Sequence, residues 1–145
     1  MNYTIKSPET ESEWESYFNF RWEKLRKPLG MPKDTLKDDK EQDSCHLIAV
    51  DINEEVVGTG RLHFNNEQEG QIRYMAVNES IQRKGLGSSI VLELEMMAKN
   101  KGATKMVLNA RENAISFYLS LGYKKTEPYE SDTGIPHTTM RKELI

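Results

Sequence analysis

The chain has 145 residues, 37% hydrophobic and 30% charged, which suits one domain spanning residues 1–145 around a single core. A net charge of −3 argues against a general nucleic-acid binder, and the single cysteine, Cys45, excludes an intramolecular disulfide and suits a reducing compartment. No apolar run approaches membrane-spanning length, and the N-terminus has no basic region followed by an apolar one, so a cytoplasmic protein without membrane contact is expected.

Residues 3–6 read as a short strand, and Ser7-Pro8 supplies an N-cap and a first-turn proline for a helix running to about residue 25. Trp14, Tyr17, Phe18, Trp22 and Leu25 recur at helical spacing on one face, with Arg21 the single charged residue among them. Pro28, Gly30 and Pro32 break that helix, and the acidic segment 35–43 reads as a short helix plus loop. Residues 46–50 and 56–64 form a hairpin around Asn53-Glu54-Glu55, and residues 71–77 a third long strand. From Leu86 the period changes to three and four through Ile90, Val91, Leu94, Met97 and Ala98, which predicts a helix ended by Gly102. A strand over 104–109, a helix over 113–121 closed by Gly122, and strands over 123–127 and 137–144 complete a mixed α/β domain.

Residues 80–89 read SIQRKGLGSS. A Rossmann fingerprint lacks its third glycine here, and no segment has the glycine spacing of a P-loop. Two readings remain: a plain strand-to-helix turn, or backbone N–H groups that converge on an anion at a helix N-terminus, with Arg83 and Lys84 adding charge.

Gln82-Arg83-Lys84-Gly85-Leu86-Gly87 resembles the Gln/Arg-x-x-Gly-x-Gly/Ala pattern of the GNAT N-acetyltransferases, and it lies between a strand and a helix as in that family. Leu108 to Tyr123 resembles the family's second block, a strand followed by Asn-x-x-Ala-x-x-Phe-Tyr and then Gly-Tyr/Phe. Gly134-Ile135-Pro136-His137-Thr138-Thr139-Met140 is similar to a segment of the ElaA-like subgroup. The resemblance implies the acyl-CoA N-acyltransferase fold, a mixed and mostly antiparallel sheet of about six to seven strands flanked by about four helices. It also implies acetyl-CoA as co-substrate and a primary amine of a small molecule or protein as acceptor.

On that footing Met75, Ala76 and Val77 would pair through their backbone with the pantetheine arm, and the Val77 N–H would stabilise the oxyanion. Gln82, Arg83, Lys84, Gly85, Leu86, Gly87 and Ser88 would hold the pyrophosphate, with Asn109, Asn113, Phe117 and Tyr118 as further cofactor contacts. Asn113 has N-cap as a competing role. Tyr118 maps onto the family's general acid toward the coenzyme A thiolate, suited by a phenol pKa of about 10, with plain helix-face packing as the alternative. His137 is a candidate base and acceptor contact, or equally a turn histidine. Arg73 could contact an acidic substrate or pair with Glu69 or another surface carboxylate, and strand alternation places it opposite Tyr74.

Alternation likewise separates Cys45 from His46, which disfavours a covalent acetyl-cysteine and favours direct transfer. Asp38 to Asp43 reads as a solvated acidic loop rather than an attractor for a cationic amine. Three histidines and one cysteine without ligand spacing argue against a metal. A homodimer stays open, as does a non-catalytic acyl-CoA sensor.

Overall fold

The computed structural model describes residues 3–82, 84–131 and 133–144. Seven strands form one sheet in the order β1-β2-β3-β4-β5-β7-β6: β1 Thr4–Lys6, β2 Cys45–Val50, β3 Val56–Phe64, β4 Glu69–Val77, β5 Lys105–Arg111, β6 Lys124–Glu130 and β7 Pro136–Glu143. Every neighbouring pair is antiparallel except β4 and β5. Helices α1 (Glu11–Leu25), α2 (Leu86–Asn100) and α3 (Ile115–Ser120) are joined by short 3-10 turns. This is the acyl-CoA N-acyltransferase architecture that the sequence motifs implied.

Helix α2 buries Leu86, Ile90, Val91, Leu94 and Ala98 against Leu62, Ile72, Met106 and Leu108 of the sheet, which is the main core. Helix α1 covers the opposite face, where Tyr17 packs on Ile48 and Val50. Two local readings of the sequence are corrected. The N-cap of α1 is Thr10, not Ser7, because Thr10 and Glu13 close a reciprocal capping box. Segment 35–43 is not helix plus loop but two 3-10 turns, Lys33–Leu36 and Glu41–Asp43, with Asp38 between them.

The parallel pairing of β4 with β5 runs only from Glu69↔Lys105 to Ile72↔Leu108. Beyond it, β5 stays paired to β7 as far as Arg111↔His137, while β4 stays with β3. The sheet therefore opens between them. Strand β4 is also bulged there: Thr59 pairs Ala76 and Arg61 pairs Arg73, so Gly60 faces two residues, Tyr74 and Met75. Tyr74 holds φ at 58°, and its carbonyl accepts a hydrogen bond from Thr59 Oγ1 at 3.0 Å.

Candidate active site

The bulge overturns the expected alternation at Arg73 and Tyr74. Both side chains lie on the α1 face, with the Arg73 guanidinium 4.7 Å from the Tyr74 ring centroid and that of Arg21 at 3.6 Å. Met75 and Val77 point the other way, Met75 into the main core and Val77 beside Gly87 at the start of α2. Asn78 donates its N–H to the Val57 carbonyl of β3, so the pair Gly58↔Val77 is of the non-hydrogen-bonded kind. The Val77 N–H and C=O consequently face the gap toward β5. Gln82 Nε2 donates to that carbonyl at 3.1 Å, whereas the N–H has no partner among the described residues.

A cleft of about 970 Å³ runs through this gap, lined from both faces of the sheet. On the α2 side stand Gln82, Gly85, Gly87, Ser88, Phe117 and Tyr118, and along the gap Met75, Ala76 and Val77. Gly85 sits at the helix N-cap with φ at 89°, a conformation strained for any side chain. A Cβ on Gly87 would stand 3.3 Å from the Phe117 ring, so that glycine keeps the wall of the cleft clear. Lys84 is exposed and does not line the cleft, and Leu86 turns its side chain into the core, leaving its backbone to contribute. Arg83 lies outside the described residues.

Tyr118 packs edge-on against Phe117 and Tyr123, and its hydroxyl has no hydrogen-bond partner among the described residues. Burial raises its pKa above the usual phenol value, which keeps the proton on. Asn113 lines the cleft but caps nothing: α3 has Ala114 at its N-cap without a side-chain bond, so the competing capping role is not realised. Asn109 lines the cleft on β5, and its amide oxygen accepts from Thr139 Oγ1 at 2.6 Å. His137 lies opposite Arg111 across the β5–β7 ladder. Its Nδ1 donates to the Ile135 carbonyl at 2.7 Å, so the neutral ring carries its lone pair on Nε2.

The acidic segment is not solvated as expected. Arg61, fully buried, is held by both oxygens of Asp38 at 2.6 and 2.9 Å, and Arg73 shares Asp38 at 2.9 Å, so Glu69 is not its partner. Arg21, also fully buried, donates to both oxygens of Glu41 at 2.8 and 3.0 Å and to the Leu36 carbonyl. Burial works to raise the pKa of each carboxyl, but the arginines outweigh it and hold both below the ordinary carboxylate range. Around this knot, Tyr17 Oη lies 2.7 Å from His46 Nδ1, and His63 Nδ1 accepts from Arg61 at 2.9 Å. Cys45, adjacent to His46, packs toward the main core instead. The single arginine within the apolar face of α1 was the sequence signal for this network. Nothing in the sequence singled out Arg111, whose place beside the gap follows from the sheet order alone.

An acetyltransferase (GNAT) domain model matches residues 16–144. The chain belongs to the GNAT acetyltransferase family. Among curated relatives, the uncharacterized N-acetyltransferase YjcF of Bacillus subtilis is 32% identical over 134 residues, covering 92% of this chain and 94% of that protein. Among solved structures, an aminoglycoside 6'-N-acetyltransferase complexed with coenzyme A has a TM-score of 0.79 at 16% identity, covering 100% of this chain and 98% of that one. Escherichia coli ElaA has a TM-score of 0.77 at 21% identity, over 99% and 100% of the two chains. These two share the fold of this GNAT domain.

Proposed function

We propose that this GNAT protein transfers the acetyl group of acetyl-CoA directly to a primary amine. The observation that carries the reading is the break in the sheet, which offers the Val77 N–H to the gap and a glycine-led helix N-terminus beside it. Clearance at Gly87 and the open side at Gly85 fit a diphosphate approached by backbone amides from Lys84 to Ser88. The exposed edge of β4 from Met75 to Val77 fits an extended arm added like a strand.

Bound acetyl-CoA would supply the activated thioester. The Val77 N–H would stabilise negative charge on the acyl oxygen, a contribution of about 3–4 kcal/mol for such a donor. His137 Nε2 would take the proton from the amine nitrogen as that nitrogen bonds the acyl carbon. Tyr118 would give its proton to the sulfur as the carbon–sulfur bond breaks. Free coenzyme A thiol and the N-acetylated amine leave, and the two side chains re-equilibrate with solvent.

Tyr118→Phe is the test, followed by thiol release from acetyl-CoA across a panel of amines. The expected result is a fall in kcat of about 100-fold or more with acetyl-CoA affinity unchanged. Unchanged turnover removes Tyr118 as the acid. Acetyl-CoA binding with no turnover on any amine favours a sensor.

A further inference from the structure

The α1 side of the cleft carries cations whose charge the protein leaves only partly used. Arg111 lines the cleft about half buried, and its Nη2 donates to the Leu25 carbonyl at the C-terminus of α1, 3.3 Å away. Among the described residues no carboxylate forms a salt bridge with it. Burial depresses its pKa, with no offsetting acid among the described residues. A half-buried guanidinium without a counter-ion is costly unless a ligand supplies one. Arg73 stands on the same face of the sheet, one residue beyond the last β4–β5 pair. Among the described residues only its Nη1 makes a hydrogen bond, to Asp38, while the guanidinium lies over the Tyr74 ring, and the side chain is 34% exposed.

The acids nearby do not cancel this. Asp38 is shared by two arginines, and Glu79 is paired with Lys24. Among the described residues Asp39 is the remaining acidic residue on the lining, with Lys40 beside it. Arg111 faces away from α2, since Met106, Leu108 and Ala110 are the β5 residues that pack on that side. Its charge therefore belongs to the α1 side of the cleft and not to the glycine stretch. His137 is its direct cross-strand partner, and such partners share a face with Cβ atoms about 5 Å apart.

We propose that the acceptor is an amine that also carries a carboxylate, an amino acid or a small derivative of one, and that Arg111, assisted by Arg73, holds the carboxylate while the amine reaches His137. A planar two-pronged donor anchored by a main-chain carbonyl suits a carboxylate. The closeness of Arg111 to His137 favours an amine only a few bonds from that carboxylate. The assignment rests on the acetyl-transfer reading for its chemistry, but its binding part can be tested separately.

Two assays on the full chain decide it. In the first, amino acids are compared with their decarboxylated amines as acceptors, using wild type and Arg111→Gln. The expected result is about tenfold or higher kcat/KM for the carboxylate-bearing member. Arg111→Gln should raise KM for that member about tenfold or more with acetyl-CoA affinity unchanged. In the second, N-acetylated amino acids and matched N-acetylated amines are added with saturating coenzyme A, and the melting temperature is followed. Only the former should raise it, and only in wild type. Equal or better turnover of decarboxylated amines, an unchanged KM, or a loss confined to acetyl-CoA affinity overturns the proposal. If no amine is acetylated, the melting assay decides alone: a carboxylate-specific shift lost in Arg111→Gln keeps the ligand class while acetyl transfer fails, and no shift ends it. Should Arg111→Gln not fold, Arg73→Gln carries the same readouts with a smaller expected KM change.

Discussion

Replacing Glu41 with glutamine isolates what the buried arginine knot contributes. Its two oxygens accept from Arg21 at 2.8 and 3.0 Å and from Arg61 at 2.9 Å, and one also takes the Asp38 N–H at 3.2 Å. Both arginines are fully buried, and their Nε atoms have no partner among the described residues. Glutamine keeps the shape but removes the charge and turns an amide donor toward a guanidinium. Removing one member of a buried pair typically costs about 3–5 kcal/mol; Glu41 retains 14% side-chain exposure and Asp38 still holds Arg61, so about 3 kcal/mol is expected. For a chain of this size that is a drop in melting temperature of roughly 6–12 °C. Thermal unfolding of Glu41→Gln, Arg21→Met and the double variant measures it, and the double variant should lose less than the sum of the singles. A shift below about 2 °C for Glu41→Gln would refute the reasoning and return segment 38–43 to the role of a solvated loop.

Other consequences are equally direct. Gly85→Ala forces a side chain into φ 89° and should cost about 1–2 kcal/mol in a thermal melt. Gly87→Val drives a branched side chain into the Phe117 ring and the cleft, so acetyl-CoA affinity by calorimetry should fall more than stability does; if both variants bind it normally, the stretch is only a turn. His46 and His63 have pKa values lowered by burial, reinforced at His63 by the charge of Arg61. The unfolded chain therefore binds more protons, and melting temperature should begin to fall as pH drops below about 6.5. A second loss begins below about pH 4, where the unfolded chain's carboxyls take up protons that the folded Asp38 and Glu41, with depressed pKa values, do not. A melting temperature flat from pH 8 to 5 contradicts the histidine assignment.

The two motif blocks were legible because each records a local backbone demand: glycine at a left-handed N-cap, small residues against an approaching ring, and Gly122 with φ 96° closing α3. The period of α2 was legible for the same reason. The capping box at Thr10-x-x-Glu13 was also written in the chain, but Ser7-Pro8 offered a rival signal three residues earlier. What could not be read were pairings across the fold. Asp38 meets Arg61 and Arg73 over separations of 23 and 35 residues, and charge patterning alone made that segment look like solvated surface. The placement of Arg111 beside the opening depends on β5 following β7 rather than β4, which no single segment encodes.

The bulge at Tyr74 sets the phase of everything downstream on its strand. Counting from Arg73, which pairs with Arg61, an unbulged strand would aim the Val77 amide at β3 and bury it in the ladder. One supernumerary residue delays the count and presents that amide to the gap instead. The orientation of the edge that faces the gap is thus an integer property of β4, insensitive to which side chain occupies position 74 provided it accepts the left-handed backbone, yet inverted by a single deletion. A chain one residue shorter between Arg73 and Met75 would, in the same pairing with β3, turn the Val77 amide away from the gap.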